Sequence, residues 1–166
     1  GFSVGIDQGV AVVGSRSDKT LTFNGGEGSA TLFDVVSSTS FIRKFAGPAV
    51  LSYFGSAVAI SGDKIIVGAP RSDANRGRVF IYRRDGTQEA NILGEQITVV
   101  PTGFPPELAS VSFGQQVSID ADTAIIGTVK VVGTGGEGRV YVTRYVGSSW
   151  TSATNLNTSS TFSDNF

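Results

Sequence analysis

Residues 54–70 read FGSAVAISGDKIIVGAP, and this phrase decides the fold. Val58 and Ile60 alternate with small residues, Ser61-Gly62-Asp63 interrupts the run, and Ile65-Ile66-Val67 restores an apolar stretch that ends at Gly68. Alternation predicts a strand with one buried face, the apolar run a second strand, and the polar break a tight antiparallel hairpin. The phrase recurs at residues 113–129, FGQQVSIDADTAIIGTV, where an offset of 59 lays Val58, Ile60, Ile66 and Gly68 on Val117, Ile119, Ile125 and Gly127. A third copy, GFSVGIDQGVAVVGS, opens the chain and lacks only the leading Phe; an offset of 54 places Val4, Ile6, Val12 and Gly14 on the same four positions. The last residue, Phe166, is the residue type that precedes the glycine in the other copies, so the sequence reads as cut at a repeat boundary.

Each copy continues alike. Past a polar loop come residues 28–33, 77–82 and 138–143, β-branched and aromatic runs that predict a third strand. A weaker fourth strand is expected near Phe41–Phe45, Ile92–Val100 and Trp150–Leu156. Four antiparallel strands recurring every 53 to 59 residues have the period of a propeller blade. The expectation is therefore all-β: three four-stranded blades, 1–53, 54–112 and 113–166, forming part of a larger or oligomerically completed β-propeller. Val79 and Ile81 alternate with Phe80 and Tyr82 along strand three, apolar on both faces, as a blade flanked on both sides requires. Three blades leave two faces bare. Further blades of a longer chain, a second copy completing six blades, or continuation as a polymer would each cover them.

The phrase FGSAVAISGDKIIVGAP resembles the FG-GAP repeat of integrin alpha-chain propellers, in the short-loop version. Blade two carries both Phe54-Gly55 and Gly68-Ala69-Pro70, whereas blade three has Gly127-Thr128-Val129 and blade one Gly14-Ser15-Arg16. The resemblance implies a Trp soon after strand three, matched by Trp150 and, as a substitute, by Phe41. It also implies a calcium loop between strands one and two, from which this chain departs. Ser61-Gly62-Asp63 is too short to wrap an ion that needs six to eight oxygens, and Asp120-Ala121-Asp122 offers only two carboxylates. No metal or other cofactor is expected.

Composition narrows the chemistry. The 166 residues contain no Cys and no His, which removes disulfides, thiolate or imidazole metal sites, and nucleophilic catalysis that uses a histidine base. A formal net charge of -1 supplies no basic surface for nucleic acid, and no apolar run reaches the length of a membrane span. The loops between strands two and three emerge on one end of the blades, where binding groups are carried on such scaffolds. Glu27 and Glu137 occupy equivalent Gly-Gly-Glu-Gly loops with Arg76 opposite them in blade two, and Asp73 and Asn75 lie beside Arg76. These five are the candidate contacts for a ligand or partner. Carboxylates two blades apart do not meet the roughly 5–10 Å separation of glycoside hydrolysis, so no catalytic residue and no enzyme is expected. Asn157-Thr158-Ser159 is a glycosylation sequon inside Ser148–Ser163, where ten of sixteen residues are Ser or Thr. Two functions follow as expectations: an extracellular or cell-surface structural or adhesive module contacting further blades, copies of itself or other proteins; or a carbohydrate-binding propeller or accessory domain of a secreted enzyme.

Overall fold

A computed structural model describes residues 1–19, 26–36, 40–94, 112–129 and 138–156. Three antiparallel sheets follow one another along the chain. The first contains β1 (Ser3–Asp7), β2 (Val10–Ser15), β3 (Ser29–Asp34) and β4 (Ser40–Ala46), hydrogen-bonded in that order. The second contains β5 (Ala57–Ser61), β6 (Lys64–Ala69), β7 (Arg78–Arg83) and β8 (Gln88–Leu93), again in order. In the third, β9 (Gln116–Asp120), β10 (Thr123–Gly127) and β11 (Val140–Val146) are followed by an outer edge of two short pairings, β12 (Ser149–Trp150) and β13 (Thr154–Asn155). This is the expected fold: three propeller blades.

The hairpins between strands one and two are closed by two residues each, between the pairs Asp7↔Val10, Ser61↔Lys64 and Asp120↔Thr123. The first turn residue is left-handed every time: Gln8 (φ 47), Gly62 (φ 55) and Ala121 (φ 45). The outer strand of blade two differs from expectation. It runs Gln88–Leu93, not Ile92–Val100, because the chain reverses at once after β7. Asp85 accepts the Thr87 amide at 2.8 Å and Gly86 adopts φ 100, a tight turn that starts the return strand early. Residues 95–100 of the expected span lie outside the described residues.

Apolar side chains fill the spaces between sheets. Let the front of a blade face the blade before it and the back face the one after. Val12, Ala30 and Leu32 on the back of blade one pack against Val58, Ile60, Val67 and Phe80 on the front of blade two. Ile66, Val79 and Ile81 on the back of blade two pack against Ile119, Ala124, Ile126 and Tyr141 on the front of blade three. Strands β6 and β7 serve both junctions, which explains their unbroken apolar runs.

The front of blade one departs from the buried-face expectation. Val4 and Ile6 are 74% and 69% exposed, whereas their equivalents Val58 and Ile60 are 7% and 8% exposed. The side-chain pattern is the same; among the described residues no sheet covers that face. The back of blade three is open likewise, with Ile125 45% exposed where its equivalent Ile66 is fully buried.

Candidate functional site

Blade-to-blade contact is built from two devices, each seen twice. In the first, the Phe-Gly pair that opens one blade seats in the blade before it. The Phe54 amide donates to the Glu27 carbonyl at 3.1 Å, and the Phe113 amide donates to the Arg76 carbonyl at 3.0 Å. Both rings are buried. Phe54 meets Phe80 edge-on at 5.5 Å and Phe113 meets Tyr141 at 5.2 Å. The seats demand glycine. A Cβ on Gly28 or Gly77 would fall on the Phe54 or Phe113 carbonyl, and one on Gly14 or Gly68 on the Gly55 or Gly114 carbonyl of the next blade. The glycine that ends strand two thus serves close backbone approach across the junction. At Gly127 no described residue takes that place: a Cβ there meets nothing nearer among the described residues than the Gln116 side chain at 3.3 Å.

The second device joins the hairpin turns. Asp7, the last residue of β1, accepts the Gly62 amide of the next turn at 2.7 Å. Ser61, its equivalent in β5, accepts the Ala121 amide of the turn after that at 3.0 Å. The left-handed first turn residue aims its N–H at the preceding blade, and a side-chain oxygen there receives it. Arg84 adds a bond to the Asp7 carbonyl at 3.1 Å, and Lys64 pairs with Asp122 across the second junction. A cleft of about 370 Å³ lies among these turns. Its carboxylates are occupied: Asp7 by the Gly62 amide, Asp63 by Arg83 at 3.6 Å and Asp122 by Lys64.

Outer strands add a third contact between blades two and three. The Trp150 indole N–H donates to Glu89 at 3.0 Å, and the other Glu89 oxygen receives Arg83 Nε at 2.6 Å. Trp150 therefore reaches back to the preceding blade. Phe41 packs edge-on against Phe33 at 6.5 Å on the uncovered front of blade one.

The four loop candidates among the described residues do not form one displayed site. Glu27 is buried at the base of the Phe54 seat instead of being displayed on a loop face, because its segment lies under the incoming Phe-Gly. Its equivalence to Arg76 holds, since both carbonyls hold the next Phe. Arg76 turns inward, its Nη2 donating to the Gly94 carbonyl at 3.0 Å while Nε is buried without a partner. Asp73 is paired with Arg78, whose hydrogen bond holds its carboxyl below the usual carboxylate range. The Asn75 carbonyl accepts the Ser112 amide at 3.3 Å. Asp73, Ala74 and Asn75 are all left-handed, at φ 52, 53 and 67, within a single turn at Ser72–Asn75. Glu137 and Asn157 lie outside the described residues. Sequence reasoning missed the accepting side chains Asp7 and Ser61, whose signal was an oxygen-bearing residue just before each turn.

The same loop end holds one aromatic between two cations. The Tyr53 ring has the Arg71 guanidinium 4.3 Å from its centroid and that of Arg16 at 5.5 Å, and Arg16 also lies over Phe2 at 3.9 Å. Among the described residues no group of three or more carboxylates converges as a metal site would require, and no helix is long and apolar enough to cross a membrane.

Residues 49–82 match the family model of the FG-GAP repeat. The match covers the Phe54 plug and strands β5 and β6, and ends within β7. No curated protein matches the chain.

Proposed function

We propose, from a chain whose second blade is an FG-GAP repeat, that this protein is an extracellular or cell-surface structural module that acts by protein–protein contact and catalyses no reaction. One observation carries the reading: Ile6 and Ile125 stand exposed on the two outermost blade faces, at positions whose equivalents are buried at both internal junctions. Exposed apolar patches on a rigid scaffold mark surfaces of association. Adhesion follows if the covering partner belongs to another molecule. The carbohydrate-binding alternative rested on Glu27, Arg76 and Glu137, and two of these three are engaged inside the blades.

Surface biotinylation of intact cells that make the protein tests the placement. An extracellular module is labelled on its lysines without permeabilisation; labelling only after lysis overturns the placement. Cross-linking on the same cells should yield protein adducts, while a glycan array should stay silent.

A further inference from the structure

The two open faces are halves of the same contact. At each internal junction the front of the later blade brings two apolar side chains from strand one and a left-handed turn amide. The back of the earlier blade brings apolar side chains from strands two and three, an accepting oxygen before its turn, and a glycine that admits a backbone carbonyl. The first blade presents the front set unpaired: Val4 and Ile6 exposed, and a Gln8 amide with no acceptor among the described residues. The third blade presents the back set: Ile125 and Val140 exposed, Gly127 uncovered, and Asp120, the equivalent of Asp7 and Ser61, exposed at the end of β9.

We infer that a second copy of this chain docks the front of its first blade on the back of the third blade, with Asp120 of one copy accepting the Gln8 amide of the other. The inference rests on the blade reading above and is independent of where the protein resides. Every part named has its counterpart in a junction already present, so the new contact continues the face and turn packing the fold makes twice, without the Phe plug that the first blade lacks. Asp120 fits the role because no described residue bonds its carboxylate, and a charged acceptor gives a stronger bond to an amide than the Ser61 hydroxyl does. The contact is heterologous, front to back, and each copy keeps one half free after one contact. Two copies close into six blades if the rotation per blade permits, within the usual range for propellers; otherwise the contact propagates as a filament. Association between two fronts or two backs has no such register, since both would bring the same half of each device.

Sedimentation of the 166-residue chain across a range of concentrations tests this, with two single variants and their mixture. Ile6→Asp puts a charge on the front and Ile125→Asp one on the back, at exposed positions outside both internal cores. The wild type should self-associate, each variant alone should be monomeric, and their equimolar mixture should form a 1:1 complex, since one retains an intact back and the other an intact front. Asp120→Ala should weaken association about tenfold, while Asp120→Asn, which keeps an accepting oxygen, should retain most of it. A wild type that stays monomeric overturns the inference, as does an Ile125→Asp variant that still dimerises or a mixture that stays monomeric although both variants keep the wild-type circular dichroism. Should either aspartate variant fail to fold, equal association of Asp120→Ala and wild type overturns it instead. A monomeric chain still labelled on intact cells would remove this inference and leave the proposed placement standing.

Discussion

Replacing Phe54 with Ala tests the claim that blades are joined by burying one aromatic ring in the junction while its backbone seats in the preceding blade. The ring is fully buried and meets Phe80 at 5.5 Å and Tyr82 at 6.3 Å, while the Phe54 backbone lies against Gly28 and its Cβ against Gly47. Truncating a buried Phe costs about 3–5 kcal/mol, and the cost is highest where the walls cannot close on the void. Here the walls include Phe80 and Tyr82, themselves buried and stacked 6.3 Å apart, which leaves little room for either ring to swing into the void. The upper half of that range is expected. Against a typical stability of about 5–15 kcal/mol this removes a large fraction, and at roughly 2–4 °C per kcal/mol it lowers Tm by about 10 °C or more. Urea unfolding followed by far-ultraviolet circular dichroism reads the loss for the whole chain, while fluorescence of Trp150, the only tryptophan, reads the junction of blades two and three. In a nearest-neighbour array the dichroism midpoint should fall further than the fluorescence midpoint. The control is Phe41→Ala, at an aromatic 63% exposed on the uncovered front, with an expected cost below about 1 kcal/mol. A loss below about 1 kcal/mol for Phe54→Ala, or equal losses at the two positions, would refute the plug as the source of cohesion.

Three further outcomes are expected. Gly68→Ala should be severely destabilising and Gly127→Ala nearly neutral in thermal melts of the monomer, because only Gly68 lies beneath the carbonyl of a following Phe-Gly pair. Burial pushes the Tyr82 hydroxyl up to about 12 from its usual value near 10; the folded state therefore holds this proton more tightly. Its contribution is complete below about pH 10 and lost as pH rises toward 12, so the gap between wild type and Tyr82→Phe in urea titrations should move by up to about 2 kcal/mol over that window. Glu89→Ala leaves the Trp150 indole and the Arg83 guanidinium without their shared acceptor, and should cost about 1–3 kcal/mol by chemical denaturation with a shift in tryptophan emission.

Much of the fold was legible because a blade repeats its pattern. Three matching copies of the strand one, turn, strand two phrase locate six strands and their turns, and the runs at 28–33, 77–82 and 138–143 locate three more, the middle one apolar on both faces. The outer strand of blade two was misplaced because its apolar residues suggested a later start, while the turn chemistry of Asp85-Gly86 already fixed an early one. Phe54-Gly55 was legible as a marker but not as a plug, since spacing reveals that a residue recurs and not which neighbour it enters. Glu27 illustrates the limit for sites: a Gly-Gly-Glu-Gly loop looks like an open display, yet the neighbouring Phe-Gly comes down on it. The turn bonds from Gly62 to Asp7 and from Ala121 to Ser61 link residues 55 and 60 positions apart, so only the stacking of blades brings them together.

The family match at residues 49–82 begins before the second blade's own first strand, and the junction geometry gives that boundary a physical sense. A blade taken as strands β5 to β8 omits the residues that attach it, whereas a unit starting in the segment before Phe54 carries its own plug. The complete cohesive unit is then a plug, a front, a back and a seat for the next plug. Gly68-Ala69-Pro70 serves both junctions: Gly68 lies under Gly114 in the seat for the next plug, and Ala69 is buried in the junction with blade one. At the place corresponding to Ala69 in blade three, Thr128 accepts the Arg139 amide on its hydroxyl oxygen at 2.9 Å. Departure from the repeat pattern therefore begins after the seat glycine, at 128–129. Gly127, the glycine under the open seat, is retained, so the departure leaves the approach of a following backbone carbonyl unobstructed.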